Sequence, residues 1–363
     1  MSDDGAGRRK GDRYELMREE IECYKTMGYV HLKGVLSEDE LHNLEEEYMS
    51  FLRHEVAVEG RDFCDMSADY SKPLEDYSIV NIMLPSKYNP WLKGNIYEKR
   101  AASISEQLLG PDMVFDYDQL LAKPPGKSDG VFHWHQDLAY WPVTDDTRTA
   151  SFWLAIDNSR VENGCIQFVP GTHLEKNLRY HGPLHGDRDK SHTLAARLAE
   201  DDMPKPAEID RGDVTVHHER TLHGSGINSS TDSWRRAWVV AFRSKETVEF
   251  ERSIGFTHSH NDKLETLNAV GQENTTLVLR KNELQMTGSL RTTKPRAGKN
   301  VGEKRSSTFG AKPQLGAVLT VPSGKPGVAV VDLGKADGFP PGGGSLYNCM
   351  SPHGVDTPTY EVR

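Results

Sequence analysis

The chain is short of everything that would tie it to a membrane, a disulfide framework or a zinc finger. No apolar run approaches the roughly 18–20 residues that span a bilayer. Its four cysteines, Cys23, Cys64, Cys165 and Cys349, are scattered without a CxxC or any paired spacing. That excludes a cysteine-built metal site and makes a reducing compartment the expectation. The opening Met1-Ser2-Asp3-Asp4 is polar and acidic, unlike a secretory or transit leader. The ending Glu361-Val362-Arg363 is not the usual peroxisomal tripeptide, which leaves cytoplasm as the expected location. A net charge of −10 argues against a general nucleic-acid binder. The charge is uneven, since residues 271–363 carry 12 lysines and arginines against 7 acids.

Among 363 residues, the segment most suggestive of chemistry is Phe132-His133-Trp134-His135-Gln136-Asp137. In a β-strand, residues two apart share a face, so His135 and Asp137 can address one ion. A distal histidine, His223 in Leu222-His223-Gly224-Ser225-Gly226, completes two imidazoles and one carboxylate. Such a set leaves one side of a metal open and suits non-haem Fe(II) oxygen chemistry. His133 shares the parity of His135, and His217 and His218 crowd the distal histidine. A third imidazole would not supply the charge that Asp137 does, so these neighbours are read as supporting or surface groups. Arg235 and Arg236 begin the strand after His223. A guanidinium fork matches a carboxylate with two parallel bonds, and strand parity leaves open which of the two points inward.

Periodicity divides the chain. Residues 1–12 read as a flexible tail and 13–27 as a helix, with Tyr14, Met17, Ile21 and Tyr24 at helical spacing. Residues 28–32 read as a short strand. Ser37 and Glu40 form a capping box ahead of a helix with Leu41, Leu44, Tyr48 and Leu52 on one face. Between about 114 and 245, short β-rich runs alternate with turn residues: 115–123, 132–139, 151–157, 165–169, 213–218 and 235–243. That is the pattern of a sandwich or barrel. Asn163-Gly164 predicts a hairpin, and 171–205 reads as a long polar binding loop. One domain is expected over 13–270. Residues 271–363, basic over 280–305 and then rich in Gly and Pro, read as a weakly ordered extension.

Taken together, His135-Gln136-Asp137 with its aromatic sequel, Asn163-Gly164-Cys165, Pro170-Gly171-Thr172-His173 and Leu222-His223-Gly224-Ser225-Gly226-Ile227-Asn228 resemble the phytanoyl-CoA dioxygenase family over residues 14–260. The resemblance implies a mainly β fold with flanking helices, a double-stranded β-helix or jelly roll. It implies an Fe(II)- and 2-oxoglutarate-dependent dioxygenase that consumes O₂ and releases succinate and CO₂, with ascorbate as an accessory reductant. Its metal ligands fall on His135, Asp137 and His223. Its carboxylate-binding arginine falls on Arg235, with Arg236 as the alternative because the preceding loop is one residue longer. Further co-substrate contacts fall on Gln119 and Trp153, whereas a lysine of some members has no counterpart near residues 79–83. Related halogenases carry a small residue where Asp137 stands, so the expected reaction is hydroxylation of a small-molecule or acyl substrate. A non-catalytic jelly-roll binding module and a metal-dependent dioxygenase without 2-oxoglutarate are the alternatives. Residues 56–80 are expected to help roof the pocket. Substrate identity and oligomeric state carry no sequence signature, and no membrane partner is expected.

Overall fold

The computed structural model describes residues 5–263 and residue 266; the expectations for 271–363 lie outside the described residues. Eleven strands build two antiparallel sheets. They are β1 (Tyr29–Leu32), β2 (Phe63–Asp65), β3 (Val80–Met83), β4 (Met113–Lys123), β5 (Phe132–His135), β6 (Thr149–Ala155), β7 (Ile166–Phe168), β8 (Lys205–Pro206), β9 (Val214–His217), β10 (His223–Ser225) and β11 (Arg235–Ser244). The larger sheet has the order β1-β9-β6-β11-β4-β3-β2, and the smaller β8-β7-β10-β5. Two facing sheets with these crossovers make the expected jelly roll.

Strand parity explains the packing. On β6 and β11, Phe152, Leu154, Trp238, Val240 and Phe242 point to one face and join one core with Val214 and Val216 of β9. Helices cover that face: α1 (Arg18–Met27), α2 (Glu38–Leu52) and α3 (Ile96–Leu109) contribute Tyr24, Leu41, Phe51, Tyr97 and Ile104 to the same core. The alternate residues Trp153, Ala155, Ala237 and Val239 face the smaller sheet and pack on Ile166 and Phe168. A strand buried on both faces needs apolar residues at both parities, which is why β6 is buried throughout.

The helix starts follow their capping chemistry. Ser37 Oγ accepts from Glu40 N–H, and the Glu40 carboxylate accepts from Ser37 N–H, as the sequence predicts. The first helix begins later than predicted. Residues 13–14 form a two-residue strand, and the helix starts at Arg18, where the Glu20 carboxylate accepts from Met17 N–H. It ends at Gly28, whose left-handed φ of 82° closes the last turn onto Tyr24 O. Helix α3 escapes the periodicity because its buried face includes Arg100, Ser103 and Ser105. Arg100 is satisfied there by Gly11 O, Val35 O and the Glu40 carboxylate.

Two β expectations are corrected. The Asn163-Gly164 turn is present, with Gly164 at φ 78°. The strands it separates lie in different sheets, however, so it serves a crossover instead of a hairpin. The run 132–139 stops as a strand at His135 and continues as a tight helical turn over Asp137–Tyr140.

Trp238 is fully buried and meets Tyr97 edge-on at 6.1 Å between ring centroids. Trp238→Ala is expected to cost about 3–5 kcal/mol, the range for deleting a buried aromatic, read as a fall in the urea midpoint. Half-exposed Trp234 provides the control, since Trp234→Ala is expected to stay within about 0.5 kcal/mol.

Candidate metal and co-substrate site

His135 closes β5, His223 opens β10, and the two are directly paired across the smaller sheet. Gln136 is extended and turns its side chain away, where its amide donates to Arg220 O and accepts from Arg179 N–H. Asp137 therefore swings back to the face of His135. His135 Nε2 lies 3.6 Å, and His223 Nε2 3.5 Å, from Asp137 Oδ1.

The proton positions follow from the partners. His135 Nδ1 donates to His133 O at 2.7 Å and His223 Nδ1 to Thr221 O at 2.9 Å. A carbonyl only accepts, so each Nδ1 carries the hydrogen and each Nε2 presents a lone pair. Burial holds both imidazoles below their ordinary pKa, hence neutral. Burial opposes ionisation of Asp137, but His223 and His217 outweigh it and hold its carboxyl well below the usual range. Three acceptors thus converge, with their ligand atoms within 4.8 Å of one another and no hydrogen among them. A cation is what such an arrangement fits. The second carboxylate oxygen, Oδ2, is occupied by Ser151 Oγ at 3.0 Å and faces His217 Nε2 at 3.3 Å.

A cavity runs from these three groups to Arg235, lined by Gln119, Trp153, Ile166, Ser225 and Val239 among others. Arg235 is 2% exposed, lies over the Trp153 ring at 5.3 Å, and forms no ion pair with any acid of the described residues. Burial pushes its guanidinium down only to about 10, so it remains cationic near neutrality. The parity question is resolved by geometry. Arg236 points to the helical side, where it pairs with Asp157 and Glu45 at 2.5 Å each. Gln119 donates its amide to Asn81 Oδ1 at 2.6 Å.

Lys123 escaped the sequence reading, whereas His217, His133 and the roof segment of Met66 were anticipated there. Lys123 is fully buried opposite Arg235 in the β4–β11 register. Its Nζ donates to Ser225 Oγ at 2.6 Å, and burial with the nearby Arg235 drives its pKa well down. The signal was parity, because Lys123 shares a face with Gln119. His217 likewise shares the inner face of β9 with Thr215. Met66, from the expected roof segment, lines an adjoining cavity. His133 supplies a carbonyl and no ring atom to the cluster.

A second acid cluster, Asp116, Glu251 and His258, has its charge balanced differently. Arg243 bridges Glu251 at 2.5 Å and Asp116 at 3.5 Å, and Arg252 also pairs with Asp116. Guanidiniums already occupy the place a metal would take.

Two histidines and a carboxylate at the mouth of a jelly roll, with a buried acid-free arginine beyond them, define an iron- and 2-oxoglutarate-dependent oxygenase. A family model described as phytanoyl-CoA dioxygenase matches residues 24–237, and the chain belongs to the phytanoyl-CoA dioxygenase family. It is 25% identical over 243 residues to the mouse peroxisomal phytanoyl-CoA dioxygenase, covering 65% of this chain and 70% of that protein. A probable alpha-ketoglutarate-dependent hypophosphite dioxygenase of Stutzerimonas stutzeri is 27% identical, over 57% of this chain and 72% of its own. Among solved structures, EvdO2 of Micromonospora carbonacea is 26% identical, with a TM-score of 0.51 over 63% of this chain and 91% of that one. A second model, homogentisate 1,2-dioxygenase C-terminal, matches residues 333–363, outside the described residues. Among the described residues no helix is long and apolar enough to cross a membrane.

Behind the site, burial pushes the Glu219 carboxyl up to about 7, against the opposing pull of Arg243 and a hydrogen bond from Thr149. Between the ordinary glutamate value of 4.5 and that raised value, the folded state keeps a proton that the unfolded chain has lost. Glu219 stabilises the fold below this window, and its contribution is lost as pH rises through it. Urea titrations at several pH values should show this decline, and Glu219→Gln should flatten it.

Proposed function

We propose that His135, Asp137 and His223 hold Fe(II), that Arg235 holds the distal carboxylate of 2-oxoglutarate, and that the enzyme hydroxylates a C–H bond of a small-molecule or acyl substrate. The observation that carries this reading is the pairing of a proton-free cluster of three ligand atoms with a buried guanidinium that has no acid partner among the described residues. Bound iron and 2-oxoglutarate supply the oxidising chemistry, in which one oxygen atom enters the substrate while the keto acid becomes succinate and CO₂.

The chain's own residues do the positioning. The carbonyls of His133 and Thr221 fix the imidazole tautomers, which aims each Nε2 and raises its basicity. Ser151 and His217 engage one oxygen of Asp137, so the other is presented to the metal. The Trp153 ring faces the Arg235 guanidinium in a cation–π contact. Gln119 and Ser225 add polar edges to the same cavity, and Leu121, Phe132, Ile166 and Val239 exclude water from it. Asp137 fills a coordination position, which favours hydroxylation over halogenation.

Anaerobic titration of the Fe(II)-loaded protein with 2-oxoglutarate should develop the weak visible band of an iron–keto acid chelate. Arg235→Leu is expected to weaken 2-oxoglutarate binding by about 1.5–3 kcal/mol, the worth of charged hydrogen bonds, or roughly 10- to 150-fold. Arg236→Leu should leave that affinity near wild type and lower the unfolding midpoint. Equal losses in both variants would sink the assignment of Arg235. Asp137→Ala should abolish substrate-stimulated succinate formation and weaken iron binding, measured by metal content after dialysis. Retention of full iron occupancy in that variant would remove Asp137 from the ligand set.

A further inference from the structure

On the side away from Arg235, a second cavity shares Tyr117, Gln119, Phe132, His135 and Asp137 with the first. Its far wall is made of His192, His258 and His260 with Tyr140, Trp141 and Phe256. Among the described residues Asp137 is its only acidic lining residue. An oxygenase centre with its co-substrate cavity on one side leaves this chamber for the substrate.

His258 is the best-held group in that wall. It lies beyond residue 237, where the family match ends, in the segment following helix α4 (Lys245–Ser253). Its backbone is left-handed, at φ 69°, a conformation that costs a non-glycine residue of order 1 kcal/mol or more and persists only where surroundings impose it. Those surroundings are specific. His258 Nε2 lies 2.9 Å from Asp116 Oδ2 and 3.5 Å from Glu251 Oε2. The ring stacks on Tyr117 at 4.3 Å and meets Trp141 and Phe256 edge-on.

Asp116 is available because the β4–β11 register slips between Ala241 and Phe242. That slip leaves Asp116 unpaired and brings both it and Tyr117 to the inner side. Nε2 therefore carries a proton toward two carboxylates. Nδ1, on the opposite edge of the ring, has no hydrogen-bond partner among the described residues. Burial works against protonation of His258, but Asp116 and Glu251 outweigh it and raise its pKa above the ordinary value. His192 and His260 are driven the other way by burial and stay neutral.

We propose that His258 is the substrate-anchoring residue, presenting an imidazolium Nδ1–H to an oxyanion, and that the substrate is a small molecule joining an apolar body to a carboxylate or phosphonate-like group. This rests on the oxygenase reading of the shared centre. The oxyanion bonds to His258, while Tyr140, Trp141, Phe256 and Met83 enclose the apolar part and turn a C–H bond toward the metal.

The test uses the full chain loaded with Fe(II) and 2-oxoglutarate under anaerobic conditions. Phenylacetate, phenylphosphonate and neutral phenylacetamide serve as probes, with binding followed by calorimetry and by perturbation of the visible chelate band. At least one oxyanion probe should bind tenfold or more tightly than phenylacetamide, and the tighter of the two assigns the class. His258→Gln should cut that preference about tenfold. Nitrogen-15 spectra of the wild type should show one imidazole protonated on both nitrogens when the preferred probe is bound, independently of whether any variant folds. Absence of an oxyanion preference, its survival in His258→Gln, or a neutral His258 in the complex would each overturn the proposal. The oxygenase reading is judged separately, by the 2-oxoglutarate titration of the wild type without probes.

Discussion

The pairing of β11 between β6 and β4 is the constraint on which the rest of the molecule depends. Ten residues of β11 alternate between two interiors, and each parity has its own task. Trp238, Val240 and Phe242 bind the helical layer to the sheet, while Arg235, Ala237 and Val239 face the cavity side. The antiparallel register sets Arg235 opposite Lys123 and Val239 beside both Gln119 and Trp153. A one-residue slip would exchange the faces, sending Arg236 to the cavity and Arg235 to the acids of the helical side. The cavity that Arg235 lines and the hydrophobic core are therefore specified by the same hydrogen bonds. The large apolar residues of the other parity make the slip prohibitively costly.

Charge is handled differently at each end of the inner face. At the Arg235 end, the Arg235 guanidinium and the Lys123 amine, whose pKa burial and Arg235 drive well down, are buried side by side with no acid partner among the described residues. Such burial is costly unless a ligand supplies the opposite charge. At the Arg243 end, Asp116, Glu251 and Glu219 meet Arg243 and Arg252, and the network is nearly self-compensating. The first leaves the Arg235 guanidinium without an opposite charge among the described residues. The second is closed, and His258 is the member through which it reaches a cavity. The acid-free end is suited to binding, the compensated end to holding a wall in place.

Much of this was legible in the sequence because the informative residues are close together or obey a period. His135 and Asp137 are two apart, Ser37 and Glu40 form a capping box, and the β-rich runs alternate cleanly. Even there the physical route differed, since Asp137 stands in a helical turn and shares the face of His135 through the extended Gln136. What escaped notice lacks such a period. Helix α3 hides behind a buried face containing Arg100, Ser103 and Ser105. The strands Phe63–Asp65 and Val80–Met83 are too short to declare themselves. The choice between Arg235 and Arg236 needed the register of two neighbouring strands, which no single-strand pattern contains.

His258 shows why the outermost elements of such a fold resist reading. Its importance comes from a bulge at Asp116, 142 residues earlier, and from a helix that returns Glu251 to the same spot. Neither is encoded near His258 itself, whose sequence context, Thr257-His258-Ser259-His260, reads as an ordinary polar turn. The left-handed backbone there is the local trace of a long-range requirement. The imidazole reaches Asp116 with Nε2 from a backbone at φ 69° and lines the cavity. In the proposed arrangement the metal ligands come from β5, β10 and the helical turn that follows β5. The proposed substrate-anchoring group comes from the segment following α4, so under this reading substrate choice can change there without altering the proposed metal ligands.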